Sequence, residues 1–332
     1  MSCDFTFVFG YPARTNEYLP AVAVHQESNV IYPVSVDLRG KILDIYNKYQ
    51  EKDPQVRIQY ASKHAHLGNG WKKWMGVIEG INNFKGVQKK KEFDKKFTDW
   101  AYKSRQRGAY LNLISDFEKV YAEYEPYRLA TTYLYETALQ IEVMTFAANF
   151  NKLSQVTKDT PQEEIDKLIA NAKEATKVFF KDYYQPIDEE VAAMVLQEYI
   201  DNQPEGFRPE LLNTIVEKYA DVQAYVDELF ANTMFVSEEN VNKFLDEFKA
   251  SKAKKLAKDP ALMAYNNVMD FYLNNVKPKS VELNDQISDL QRVFMRGQME
   301  YHADQNPDKK IYPARHARIH IQRAAKRTGD SV

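Results

Sequence analysis

Apolar residues recur three or four positions apart along most of the chain, which is the repeat of a helix with one buried face. Three such stripes begin at Ile165, Leu211 and Leu283, and the third follows a break expected at Pro278. The pattern predicts that most of the chain is α-helical.

Two further long helices are predicted in the first half. One leads into Trp71 and Trp74, and the other runs from Leu111 past Pro126, a candidate kink, to about Phe150. Helix starts are marked by a capping side chain that is followed by proline or by acidic residues. These marks are Asp53-Pro54, Thr160-Pro161 with Glu163, Ser237 with Glu238 and Glu239, and Asp259-Pro260.

One segment, Phe5 to Phe9, has the aromatic and β-branched character of a strand, and Gly10 and Pro12 end it. No partner strand is evident nearby, although the backbone groups of a strand need pairing. The predicted fold class is therefore all-α with one short N-terminal β-strand. The sheet of this strand is either completed elsewhere in the chain or missing, and a missing sheet would make the sequence a fragment.

Composition narrows the function classes. The 332 residues are 44% hydrophobic and 28% charged with 11 glycines, as in a helical globular protein, and the net charge of −2 creates no field that would gather nucleic acid or membrane. Cys3 is the only cysteine, so an internal disulfide is excluded.

Residues 1–11 lack a signal-peptide pattern, and the apolar stretch 129–150 carries Glu136 and Glu142, as in a buried helix. We expect a soluble protein.

Motifs of common catalytic sites are not found: the sequence has no Gly-x-Ser-x-Gly elbow, P-loop, Rossmann fingerprint or His-Glu-x-x-His. No catalytic residue, metal site or cofactor is predicted. His64 and His66 could share a metal on a strand, but on a helix their side chains would diverge by about 200°. We favour solvent-facing or packing histidines.

Basic residues are concentrated in three places, at 85–96, 249–258 and 315–327. The two lysine runs are interpreted as solvated helix faces, with phosphate binding as the alternative. The basic tail 314–332 is expected to be disordered and without a selected role, and a nucleic-acid-binding arm is the alternative.

Three blocks of sequence carry a resemblance to a known family. The first is Phe5 to Thr15, the second is Gln59 to Lys63 followed by Asn69 and Trp71 to Trp74, and the third is Leu290 to Arg292 with Gln298 to Glu300. In this order they resemble the dipeptidyl-peptidase 7 and 11 family of bacterial serine exopeptidases, at the exit from the first catalytic β-barrel, at a Tyr-Ala-Ser-Lys…Asn-x-Trp-Lys signature, and at the end of an inserted helical domain.

The resemblance implies that residues 1–15 are a residual barrel strand and entry turn, 16–313 a helical domain that caps the active site, and 314–332 the basic tail. The parent enzyme is typically periplasmic and homodimeric, carries Ser, His and Asp on a double barrel, and releases dipeptides from free peptide N-termini. Because that triad would lie outside this sequence, the chain is expected to be inactive alone and to lack its barrel partners.

Asn69 is the one substrate-binding residue that the resemblance implies. The family uses an asparagine of the helical domain to accept a hydrogen bond from the substrate's ammonium group, and Asn69 holds that place in the Asn-x-Trp-Lys block. Gly68 and Gly70 flank it, so we expect a local break that exposes it. The alternative is an asparagine turn or cap without a substrate role. Trp71 and Trp74 are expected to be packing residues.

The resemblance has two departures: Ala13 replaces a glycine, and the family pattern stops after Pro313, where we expect a frame change or an early end. Three functions remain open, namely a partial dipeptidyl-peptidase, a stand-alone helical peptide-binding or scaffold protein, and a nucleic-acid-binding protein. We favour the first because the predicted strand lacks partners. The substrate side chain, the oligomeric state and the compartment of this chain stay undetermined.

Overall fold

The computed structural model describes residues 18–306, which form helices joined by short turns. The first α-helices are α1 (Ala21–His25), α2 (Tyr32–Gln50), α3 (Pro54–Asn83), α4 (Gly86–Tyr102), α5 (Leu113–Glu136), α6 (Glu142–Ala147) and α7 (Asn151–Ser154). They are followed by α8 (Gln162–Lys181), α9 (Gln185–Asn202), α10 (Glu210–Lys218), α11 (Val222–Asn232), α12 (Glu238–Asp246), α13 (Ala253–Leu256), α14 (Pro260–Phe271) and α15 (Lys277–Gln305). Short 3₁₀-helices span Arg105–Tyr110, Ala138–Gln140, Ala148–Phe150, Glu205–Phe207, Met234–Val236 and Ala250–Lys252, and π-helices span Gln26–Ile31 and Tyr272–Val276.

The predicted fold class needs one correction. Residues 18–306 are helical and contain no β-strand, so the all-α class is confirmed and the added N-terminal strand is not. A strand needs a partner for its backbone groups, and the described residues provide none. The segment that was predicted as the strand, Phe5–Phe9, lies outside the described residues, as does the basic tail 314–332. The domain boundaries expected near residues 15 and 313 stay predictions for the same reason.

Two compact units make up the described chain. The first contains residues 18–25, 84–122 and 283–306, and the second contains residues 26–83 and 123–282. Both units are therefore assembled from segments that are distant in sequence, which no local sequence pattern indicates.

An aromatic cluster forms the core of the first unit. The ring of Phe97, which is fully buried, meets Phe294 edge to face with centroids 5.2 Å apart, and Trp100 and Tyr110 pack beside it. Gly297 on α15 faces this cluster so closely that a Cβ there would lie 2.7 Å from the Phe97 ring. Glycine is therefore required at this contact because the close-packed rings leave no space for a methyl group.

The core of the second unit is built around the short helices that follow α5. Phe146 stacks on Phe179 of α8 with centroids 4.0 Å apart and an interplanar angle of 3°. Phe150 packs against Phe235 at 4.8 Å, and both of these side chains are fully buried. Helices α2 and α3 form an antiparallel pair that packs on the same core.

Most of the predicted helix starts are confirmed. The Asp53, Ser237 and Asp259 side chains accept hydrogen bonds from Gln55 N, Asn240 N and Ala261 N, at 2.8, 3.3 and 3.0 Å. The Thr160 prediction is wrong: α8 begins at Gln162 without a side-chain cap, because the Thr160 hydroxyl instead accepts a hydrogen bond from Thr157 N at 3.0 Å.

Prolines coincide with the two π-helical segments. Each segment ends two residues before a proline, Ile31 before Pro33 and Val276 before Pro278. A proline has no N–H and its ring collides with the carbonyl four residues earlier, so a widened turn lets the helix continue. The break expected at Pro278 is therefore wrong, and the chain stays helical from 260 to 305.

The helix predicted from Leu111 to Phe150 does continue past Pro126, but it ends at Glu136. The following Thr137 has non-helical backbone angles (φ −124°, ψ −90°) and begins a series of short helices. Within residues 18–306, no helix combines the length and the apolar character needed to span a bilayer.

Candidate functional site

Asn69 lies near the middle of α3, and its side chain is exposed. The expected local break is absent, because α3 continues through Gly68 and Gly70 while it packs along α2. The residue is therefore neither in a turn nor at a helix cap, which removes the local structural role considered as the alternative. Its exposure is as predicted, and it places a neutral amide on the surface of a long helix.

Directly beside Asn69, the chain holds an arginine against the helix backbone. The Arg39 guanidinium of α2 donates two hydrogen bonds to Glu136, from Nε at 2.7 Å and from Nη2 at 3.0 Å. Both side chains are largely buried, with 16% and 6% of their surface exposed. Gly70 makes room for this pair, since a Cβ there would lie 3.2 Å from Arg39 Cζ and still closer to Nη1. We call Arg39, Glu136 and Gly70 the arginine clamp.

The two tryptophans after Asn69 complete this packing. Trp74 lies under the Arg39 guanidinium, whose Cζ is 4.4 Å from the ring centroid, and it also stacks on Tyr32 with an interplanar angle of 16°. Trp71 is half-buried against the core of the second unit. Both are packing residues, as expected, and they fix the side of α3 opposite Asn69.

Two turns before Asn69, α3 carries an ion pair. Lys63 Nζ contacts Glu142 at the start of α6 and donates to the Asp182 carbonyl at 2.5 Å. Tyr60 Oη donates to Glu142 Oε1 at 2.8 Å, and burial followed by the charge of Glu142 strongly raises the pKa of Tyr60. The phenol therefore stays protonated as a donor.

A second carboxylate lies behind this pair. Asp188 is almost completely buried and accepts hydrogen bonds from Glu142 N at 2.6 Å and Val143 N at 2.8 Å, which satisfies the start of α6. Burial and then the charge of Glu142 raise the pKa of Asp188, while the two backbone donors act in the opposite direction. Lys63 is the cation that offsets the two neighbouring carboxylates.

A cavity of about 420 Å³ opens beside this network, lined by polar side chains of α3 and of the segment around α6. These include Ser62, Lys63, His66, Gln140, Glu142 and Thr145. His66 is three positions before Asn69 and Ser62 is seven, so all three follow one stripe of the helix over about 10 Å. The arrangement presents a polar, partly charged face suited to hydrogen bonding with an extended polar ligand.

The two histidines considered for a metal do not converge. Both lie on α3, and His64 Nε2 is 2.9 Å from Asn47 Oδ1, whereas His66 faces the cavity. In residues 18–306, His, Cys, Asp and Glu side chains form no group of three or more that could hold a metal ion.

Sequence patterns did not indicate Arg39, Glu136, Glu142 or Asp188 as parts of this site. Arg39 and Glu136 are 97 positions apart, and Asp188 is more than 40 positions from the backbone that it caps. Lys63 was inside the Tyr-Ala-Ser-Lys block, which was the only available signal.

This geometry defines an α-helical protein with a polar face on the long helix α3. The chain belongs to the peptidase S46 family, which it matches over residues 2–314. The predicted resemblance is therefore confirmed.

Named relatives agree with this assignment. The chain is 29% identical over 320 residues to an Asp/Glu-specific dipeptidyl-peptidase of Flavobacterium psychrophilum, covering 96% of this chain and 44% of the relative. It is 31% identical to a protein of the same name from Capnocytophaga gingivalis, with 93% and 43% covered, and 26% identical to dipeptidyl-peptidase 7 of that organism, with 89% and 40% covered.

The fold is also found in solved structures. The crystal structure of Porphyromonas endodontalis DPP11 in complex with the dipeptide Arg-Asp superimposes with a TM-score of 0.74 at 20% identity, over 91% of this chain and 42% of that one. The chain thus spans less than half the length of the relatives that it matches.

Proposed function

We propose that this chain is the helical cap of a serine-type dipeptidyl-peptidase and that Asn69 binds the free N-terminus of the peptide substrate. Membership of the peptidase S46 family and the dipeptidyl-peptidase names of its relatives support this activity for the complete enzyme. The observation that carries the proposal for Asn69 is its exposed amide at the centre of α3, beside the arginine clamp.

The chemistry of an amide suits this role. An ammonium group that leaves water needs hydrogen-bond acceptors, and the Asn69 carbonyl oxygen is an acceptor without a competing partner among residues 18–306. Arg39 packs on Gly70 and Trp74 of α3 while it bonds Glu136 of α5, so we propose that this part of α3 holds the amide in place before the peptide binds. A neutral amide alone does not balance the charge, and the carboxylates for this purpose would come from the rest of the enzyme.

The exposed charges near Asn69 affect which peptide side chains are favoured. Lys72 and Lys73 follow it by one turn and are exposed, so this face of α3 is positive. An acidic side chain in the peptide would offset this charge and a basic one would not. We therefore propose a preference for acidic peptides, in keeping with the Asp/Glu-specific names of two relatives.

Binding is tested by calorimetric titration of the whole chain with a short acidic peptide and with its N-acetylated form. We expect measurable affinity for the free form, a loss of affinity of at least about tenfold on acetylation, and a similar loss in Asn69→Ala, because one charge-assisted hydrogen bond is worth about 1.5–3 kcal/mol. Asn82→Ala is the matched control, since Asn82 is also exposed on α3. Equal affinity for both peptides would exclude recognition of the N-terminus.

Hydrolysis is a separate test. We expect no turnover of fluorogenic dipeptide substrates by the chain alone, because the Ser, His and Asp that the family resemblance implies would not lie within these 332 residues. Turnover that a serine-directed covalent inhibitor abolishes would show that a nucleophile is present and would refute the cap proposal. Peptide binding without turnover, in an organism without a complementing barrel chain, would instead support the stand-alone peptide-binding protein.

A further inference from the structure

The lysine run 249–258 does not form one solvated helix face. It is divided between the 3₁₀-helix Ala250–Lys252, helix α13 and the turn before α14. This path brings Lys252, Lys255 and Lys258 around a cavity of about 580 Å³, and Lys243 of α12 joins them from a different element. We call this site the lysine cavity. It lies within the second unit.

Positive charge in the lysine cavity is only partly balanced. Two acids line it, and Glu247 pairs with Lys252 at 2.8 Å. The hydrogen bond from Lys252 lowers the pKa of Glu247, so this acid remains charged. Lys255 and Lys258 form no ion pair within residues 18–306.

The second acid does not face the lysines as a free acceptor. Asp259 is buried and accepts three hydrogen bonds, from Thr233 Oγ1 at 2.7 Å, Met234 N at 3.0 Å and Ala261 N at 3.0 Å. The Asp259 carboxylate therefore caps α14 and stabilises the turn at Thr233 and Met234. The cavity is therefore lined by more ammonium groups than carboxylates. In a concave site such as this one, the positive electrostatic potential is concentrated.

Part of the cavity lining is apolar, and we call this part its floor. Met234, Phe244, Leu256 and Pro260 line it, and Asn240 supplies an exposed amide at the edge. A volume of 580 Å³ is within the range of small-molecule sites, at about 300–1,000 Å³. Cationic walls over an apolar floor match a ligand that has anionic groups at one end and a hydrocarbon or ring at the other.

We propose that the lysine cavity binds a small organic anion, with the ammonium groups holding a phosphate or a pair of carboxylates and the floor around Phe244 holding the apolar part. Lysine ammonium groups act as point charges that suit such anions without requiring a fixed geometry. This site is independent of Asn69 and of the proposed peptidase function.

The test is calorimetric titration of the whole chain at low ionic strength with three probes: inorganic phosphate, phenyl phosphate and phthalate. Phenyl phosphate is expected to bind several-fold more tightly than inorganic phosphate because its ring covers the apolar floor. Phthalate distinguishes carboxylate from phosphate chemistry, and tighter binding of either aromatic probe supports the site. Saturable binding of none of the three overturns it.

Matched variants separate a site from general charge attraction. The double variant Lys255→Gln with Lys258→Gln should lower the affinity for the preferred probe about tenfold, as expected for the loss of two charge contacts. Lys249→Gln with Lys254→Gln removes the same charge from the same run, but neither residue lines the cavity, so a change below about twofold is expected. An equal loss of affinity in both double variants would show that the probe is held by nonspecific charge attraction, and this would refute the proposal.

Discussion

Replacement of Gly70 by alanine should destabilise the chain, although the same substitution usually stabilises a helix. Alanine is favoured over glycine by about 1 kcal/mol in a helix interior. At Gly70, however, the new Cβ would lie 3.2 Å from Arg39 Cζ and closer still to Nη1. The Arg39 guanidinium must shift to admit this methyl group, and its two hydrogen bonds with Glu136 and its position over Trp74 oppose the shift.

The magnitude follows from the burial of that ion pair. Separating the partners of a buried pair costs about 3–5 kcal/mol, and the gain in helix propensity offsets about 1 kcal/mol. Complete separation therefore sets the upper limit, and we expect Gly70→Ala to lower the free energy of unfolding by up to about 4 kcal/mol in urea unfolding followed by circular dichroism. Gly76→Ala, in the same helix with nothing within 4 Å of a Cβ, should instead stabilise the chain by up to 1 kcal/mol.

A double substitution tests the stated cause. Replacing both Arg39 and Glu136 by methionine exchanges the ion pair for apolar side chains, a change that buried pairs often tolerate. In that background the clash is relieved, so Gly70→Ala should become neutral or stabilising. If Gly70→Ala stabilises the native protein as much as Gly76→Ala does, the arginine clamp is not rigid and its role in holding Asn69 is refuted.

Three further predictions concern stability. Gly297→Ala should destabilise the chain by about 1–3 kcal/mol in urea unfolding, because the methyl group collides with the buried Phe97 ring. Burial raises the pKa of Asp94 from 3.8 to about 6, so its contribution to stability is present below about pH 4 and is lost as the pH rises through 6. Asp94→Asn should therefore match the native protein in thermal unfolding near pH 4 and exceed it by up to about 3 kcal/mol near pH 8. Lys63→Met should lower the free energy of unfolding by about 2–3 kcal/mol near pH 9.5 and by less near pH 6, because burial raises the pKa of Asp188 to about 8 and its protonation below that pH reduces the need for a cation.

Each of these has a control on the same or an equivalent helix. Gly80→Ala meets nothing within 4 Å, Asp99→Asn removes an exposed carboxylate from α4, and Lys72→Met removes an exposed lysine from α3. The free energy of unfolding of all three variants should stay within about 1 kcal/mol of the native value. An Asp94→Asn difference that does not depend on pH, or a Lys63→Met loss equal to that of Lys72→Met, would contradict the electrostatic explanations.

The part of the site that sequence patterns could indicate was the part with local signals. Asn69 is indicated by the second block of the family resemblance, and Lys63 lies in the same block. Arg39, Glu136 and Asp188 leave no local pattern, because Arg39 and Glu136 are 97 positions apart and Asp188 is more than 40 positions from the backbone that it caps. The flanking glycines were misinterpreted as a break, because a glycine that makes room for a packed side chain looks the same in sequence as one that bends a chain.

The helical class, most helix starts and the family are predictable from sequence, because helical periodicity, capping residues and short ordered motifs depend on neighbours within a few positions. Tertiary structure alone decided where Pro278 widens rather than ends a helix, why Gly70 and Gly297 must lack a side chain, and which lysines of the run 249–258 surround a cavity. These features arise from contacts between segments that are far apart in the chain, and the packing of those segments sets the space and the charge that each residue meets.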